Sequence, residues 1–88
     1  MNRDEILGRL RRVIVDDLHL EDVGSDDITE TTVLFGSGLG LDSIDAVELV
    51  VIVEKYFQVA IQDTGEAKRA FASVGALADF IAERLKDA

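Results

Sequence analysis

Residues 40–49 read Gly40, Leu41, Asp42, Ser43, Ile44, Asp45, Ala46, Val47, Glu48 and Leu49, a passage from a glycine-rich connection straight into an apolar helix. Asp42 is a residue type that caps helices, because its carboxylate accepts from amide groups that the first turn leaves unbonded. Asp45, three positions on, faces the same free amides and completes a capping pair. Ser43 then opens the helix. Rigid backbone presents its hydroxyl at the positive end of the helix dipole, a place that suits an oxygen carrying a phosphodiester. Ser43 is the candidate attachment point.

The apolar pattern predicts that this second helix runs from Asp42 to about Phe57. At about 100° per residue, Ala46, Leu49, Val50, Val53 and Phe57 share a sector roughly 100° wide, as expected of a core-facing stripe. Ile44, Val47 and Val51 form a second stripe about 130° around the helix. A domain this small cannot easily bury both. Either the preceding connection folds over the second stripe, or the stripe is a docking strip for a partner. Asp42, Asp45, Glu48 and Glu54 border it. Such carboxylates would steer a basic partner toward a small apolar contact, or would simply form a solvated helix face.

Upstream, Asn2 caps a first helix with Asp4 and Glu5 in its opening turn and Ile6, Leu7, Leu10, Val13, Ile14 and Leu18 at helical spacing. That helix is expected to end near Leu18. Residues 19–41 lack periodicity and carry Gly24, Gly36, Gly38 and Gly40, so they read as a long loop. Loops beyond about 12–15 residues are uncommon in compact domains. Val23, Ile28, Leu34 and Phe35 would pin this one as an ordered crossing of the bundle. Downstream, a short helix is expected from about Glu66 to Phe71, and Ser73 caps a last helix from Val74 to about Lys86 along the stripe Val74, Leu77, Ala78, Ile81 and Leu85. The fold class is all-α: a four-helix bundle with a short third helix and a long loop between helices one and two.

Eighty-eight residues make one domain, able to hide about 60–65% of its chain surface. Eighteen acidic residues against nine basic ones give a formal net charge of −9, which repels nucleic acid and anionic membranes and favours basic partners and a monomer. There is no cysteine for a disulfide or thiolate metal site, no apolar run near the roughly 20 residues of a membrane span, and no signal-peptide layout from Met1 to Glu5. A cytoplasmic protein is the expectation.

Independent catalysis is not expected. A hydrolytic serine needs a base, and the single histidine, His19, reads as a surface or capping residue closing the first helix. Gly36, Gly38 and Gly40 lack the lysine and preceding strand of a phosphate-cradling loop and read as turn formers. Asp22, Asp26, Asp27 and Glu30 miss the spacing of a helix-loop-helix calcium site and read as solvated carboxylates, so no metal site is expected. Arg3, Arg9, Arg11 and Arg12 make the first helix locally basic, but among many carboxylates they suit internal ion pairs or solubility better than nucleic acid.

Leu39 to Leu49, LGLDSIDAVEL, resembles the phosphopantetheine attachment motif of acyl carrier proteins. Asp27, Ile28, Thr29, Leu34 and Phe35 resemble the family's first loop, residues 54–63 the end of its second helix and the following turn, and residues 73–81 its last helix. The resemblance implies a single acyl carrier domain over residues 1–88, with 4'-phosphopantetheine attached covalently to Ser43 and Asp42 as the matching motif acid. It also places Ile44, Val47, Glu48 and Val51 on the enzyme-recognition surface, beside the bordering Asp45 and Glu54. The implied partners are a phosphopantetheinyl transferase, which would activate the Ser43 hydroxyl against coenzyme A, and acyltransferases, ketosynthases and other synthase enzymes with basic docking patches. Acyl groups are the implied cargo. Ile44 stands where leucine is usual, Glu30 and Gln62 where proline is frequent, and the stretch Gly36, Ser37, Gly38 is longer than in common fatty-acid carriers, which leaves a polyketide-type pathway open. A peptidyl or aminoacyl carrier usually has glycine and histidine before the serine, where this chain has Leu41 and Asp42. A small acidic interaction module lacking the prosthetic group is the alternative outside the family.

Overall fold

A computed structural model describes residues 2–20, 23–36 and 38–86. Among the described residues, four α-helices follow one another: α1 (Arg3–Asp17), α2 (Ser43–Phe57), α3 (Thr64–Ala70) and α4 (Val74–Lys86). The all-α bundle, the short third helix and the long first loop are as the sequence predicts. Ile6, Leu10 and Ile14 of α1 meet Leu49, Val53 and Phe57 of α2 and Val74, Leu77, Ala78 and Ile81 of α4 in one buried cluster.

Local chemistry sets the helix ends. The Asn2 side chain accepts from the Glu5 amide at 2.9 Å, and the Glu5 carboxylate accepts from the Asn2 amide at 3.4 Å, a reciprocal cap. At the other end of α1, His19 takes a left-handed φ of 54° and the Leu20 amide reaches back to the Val15 carbonyl at 3.1 Å. That pairing closes the last turn of α1, so His19 does structural work as an exposed terminator. The third helix starts at Thr64, two residues before the expected Glu66, and stops at Ala70. The reason is Asp63, whose side chain accepts from the Glu66 amide at 2.8 Å while Glu66 accepts from the Gln62 amide at 3.0 Å. Ser73 caps α4 as expected, its Oγ accepting from the Ala76 amide at 3.0 Å.

The long loop is ordered by the bundle. Ser25–Asp27 forms a short 3-10 turn with no apolar periodicity to announce it, closed by Asp27 accepting from the Gly24 amide at 2.9 Å. Ile28 and Leu34 are buried in the core. The Val74 and Gly75 amides, orphaned at the start of α4, donate to the Thr32 and Glu30 carbonyls at 2.9 and 2.8 Å. A Cβ on Gly75 would lie 2.6 Å from the Glu30 carbonyl oxygen, so glycine is what lets loop and helix approach. Arg3 joins the same corner through ion pairs to Asp79 of α4 and Glu30 of the loop. Hydrogen bonding to Asp79 and then to Glu30 raises its pKa further above the ordinary arginine value. Of the other α1 arginines, Arg11 donates to the Ile28 carbonyl at 3.3 Å, and Arg9 and Arg12 are exposed.

Candidate functional site

The site is built at the junction of the long loop with α2. Loop residues on either side of a tight turn lie together: the Leu39 amide donates to the Val33 carbonyl at 2.9 Å and the Leu41 amide to the Leu34 carbonyl at 3.2 Å. Gly36 and Gly40 take positive φ of 62° and 72°, and a Cβ on Gly38 would collide with the Val33 backbone. These glycines make turns, as expected; Ser37 lies outside the described residues. Leu41 is then buried in the core, which fixes the chain one residue before the cap.

Asp42 is the N-cap of α2. Its Oδ1 accepts from the Ile44 and Asp45 amides, both at 3.0 Å, and Asp45 returns a carboxylate oxygen to the Asp42 amide at 3.1 Å. The Asp42 carboxylate is therefore committed to the backbone and positions its neighbour. Ser43 is the first helical residue and is exposed. Its hydroxyl takes part in no hydrogen bond among the described residues. An alcohol oxygen in solvent, on a capped turn at the positive end of a fifteen-residue helix, fits a covalently attached phosphodiester without rearrangement.

Downstream of Ser43, Ile44 is 70% exposed, Val47 65% and Val51 58%. The long loop does not fold over this second stripe. Exposed Asp42, Glu48 and Glu54 and half-buried Asp45 surround it, so the structure brings together every residue that the sequence suggests for a docking strip. The buried face differs from the expected stripe. Leu49, Val53 and Phe57 are buried as expected, whereas Ala46 and Val50 are only half-buried and Ile52 is buried instead. Ile52 stands apart from the central cluster, on the side of α2 that faces the end of α1. There, Asp17 of α1 and Val47, Glu48, Val51, Ile52 and Lys55 of α2 line a groove of about 230 Å³. Lys55 could have been noticed in the sequence as the single base on α2. Asp17 could not, because only the packing of α1 on α2 brings it there. Of the acidic loop residues, Asp22 lies outside the described residues. Among those described, no three histidine, aspartate or glutamate side chains gather as metal ligands.

The profile of a known family, the phosphopantetheine attachment site, matches residues 8–81. The acyl carrier protein of Phenylobacterium zucineum (strain HLK1) is 36% identical over 81 residues, covering 92% of this chain and 95% of that protein. The chain belongs to the acyl carrier protein family. A second acyl carrier protein, from Phytoplasma australiense, is 42% identical over 59 residues, covering 67% of this chain and 72% of its own length. The family's prosthetic group is phosphopantetheine, and its members are carriers rather than catalysts. Both points agree with the chemistry around Ser43. His19 follows the end of α1, where Asp17 accepts a hydrogen bond from the Tyr56 hydroxyl near the end of α2. Ser43 opens α2, thirteen residues earlier, about 20 Å away along the axis. This acyl carrier family member has no histidine near its serine to act as a base.

Proposed function

We propose that Ser43 Oγ carries the 4'-phosphopantetheine arm and that the chain, as one carrier domain, shuttles acyl intermediates between the enzymes of fatty acid or polyketide-type biosynthesis. The observation that carries this reading is the exposed Ser43 hydroxyl on a doubly capped first turn, inside the span that matches the attachment family. Asp42 and Asp45 hold that turn in place. The Asp42 carboxylate beside Ser43 is committed to the Ile44 and Asp45 amides, so a partner, a phosphopantetheinyl transferase, takes the Ser43 proton as Oγ attacks the pyrophosphate of coenzyme A and 3',5'-adenosine bisphosphate leaves. Once attached, the arm supplies a terminal thiol that holds the acyl group as a thioester. Tethering raises the cargo to an effective concentration of the order of millimolar at a docked active site.

Delivery needs brief visits to many enzymes. The Ile44, Val47 and Val51 strip offers modest apolar contact, and the carboxylates of Asp42, Asp45, Glu48 and Glu54 raise the association rate of acyltransferases, ketosynthases and other enzymes with basic patches. The net charge of −9 keeps copies of the chain apart as monomers. The chain is read as a cytoplasmic protein, and no helix among the described residues is long and apolar enough to cross a membrane. The longer stretch Gly36, Ser37, Gly38 keeps a specialised, polyketide-type pathway beside the fatty acid one.

Intact mass after incubation with coenzyme A and a phosphopantetheinyl transferase tests the assignment. A single pantetheinyl addition is expected in the wild type and none in Ser43→Ala. An equal gain in both would overturn it. Loading assays with acyl against aminoacyl donors separate an acyl carrier from a peptidyl one.

A further inference from the structure

The groove beside the docking strip carries a charge pattern that simple acidic steering leaves unexplained. Its floor is Ile52, which is buried, and its apolar walls are the exposed Val47 and Val51. Asp17 of α1 closes the far side, held by the Tyr56 hydroxyl at 3.1 and 3.3 Å. At about 230 Å³ the groove falls below the roughly 300 Å³ where small-molecule pockets begin, but it has room for protein side chains. Glu48 and Lys55 sit seven residues apart on α2 and line it with Val51 and Ile52 between them. They stand on nearly the same helical line, about 10 Å apart along the axis. The Lys55 ammonium lies 5.1 Å from the Tyr56 ring centroid and the side chain is exposed.

We infer that this groove receives an amphipathic helix of a partner protein, with a base opposite Glu48, an apolar side chain over Ile52, and an acid opposite Lys55. The occupant's chemistry follows from charge complementarity. Asp17 is half-buried and accepts from the Tyr56 hydroxyl, so Glu48 and Lys55 are the exposed charges that a partner meets in the groove, and a wholly basic helix would meet Lys55 with like charge. The helical form follows from the spacing. Residues seven apart on a partner helix share the two-turn repeat of Glu48 and Lys55, with an apolar residue three or four positions on falling between them. In an extended strand the same distance spans about three residues, whose side chains point to opposite faces. Lys55 therefore sets which helix docks and in what register, while the acids set how fast partners arrive. The inference rests on the carrier reading only in taking this face of α2 as the one partners meet.

The test uses stapled helical peptides of about fifteen residues, long enough to hold two turns at the groove. One kind carries a base, a leucine and an acid at positions i, i+4 and i+7, made in both sequence orders; the other carries bases at both charged positions. Each is titrated into isotope-labelled chain by NMR. Shifts should gather at Asp17, Val47, Val51, Ile52 and Lys55, and the better mixed peptide should bind about fivefold more tightly than the all-basic one, the scale of one exposed ion pair. Lys55→Glu should invert that preference and Lys55→Gln should bring it near equality. No binding, shifts elsewhere, an all-basic peptide that binds as well, or a preference unmoved by Lys55→Glu would overturn the inference. Mass gain at Ser43 is measured on the same samples: loading without the peptide preference defeats only the groove, and failure to load defeats the carrier reading.

Discussion

The two faces of α2 are made of the same kinds of residue and meet opposite fates. Leu49 and Val53 are fully buried against α1 and α4, while Val47 and Val51, two residues before each, stand 65% and 58% exposed. Hydrophobicity alone does not distinguish them, since valine occurs on both sides. Direction does. A shift of two residues turns a side chain about 200° around the axis, from the packed side of the helix to the open one. Leaving Ile44, Val47 and Val51 in water forgoes burial of about 1.5–3 kcal/mol for each fully covered side chain. The docking role proposed for this strip would recover part of that burial during each visit to a partner.

The strongest break in this comparison is at the head of the helix. Ser43→Ala should abolish pantetheinyl loading, read by intact mass, while urea unfolding shifts by no more than about 0.5 kcal/mol, because Ser43 makes no contact that the fold needs. Next come the two faces. Leu49→Ala should cost about 2–5 kcal/mol through lost burial and a residual cavity, whereas Val51→Ala should stay within about 0.5 kcal/mol. Comparable losses in the two variants would mean that the strip is packed after all. Asp42→Ala removes the cap and should cost about 1 kcal/mol in the same denaturation experiment. It should also slow loading, because the turn that presents Ser43 then frays.

Smaller effects sharpen the picture. Val47→Asp and Glu48→Lys should lower the rate of acyl transfer to a partner enzyme severalfold with an unchanged melting temperature, and raising salt should blunt the Glu48 effect by screening. The mildest concerns the far end of α2, where Gln58 holds a left-handed φ of 58°. Gln58→Gly should stabilise the chain slightly, by about 1 kcal/mol at most, since glycine carries no Cβ penalty there.

Much of the molecule is legible in the residues themselves. Local interactions are short-range: Asn2 with Glu5, Asp42 with Asp45 and Ser73 with Ala76 are separated by three positions, so the starts of α1, α2 and α4 can be read directly. Asp63 and Glu66 form a pair of the same kind, passed over because apolar periodicity starts later than the cap does. The exposed Ser43 also follows from local sequence, since a capped helix start holds its first residue outward. Periodicity named the core-facing stripe of α2 but left two fates for the stripe of Ile44, Val47 and Val51, and it did not show that Ile52 would be buried between them. Those outcomes depend on where α1 and the long loop come to rest. The loop anchors itself through the Thr32 and Glu30 carbonyls to the start of α4, far along the chain, and α1 brings Asp17 to Tyr56 across 39 positions. Helix ends are decided by neighbours in the chain and were written in the sequence. The open strip, and the groove that Asp17 completes, are decided by neighbours in space and existed only once the bundle had closed.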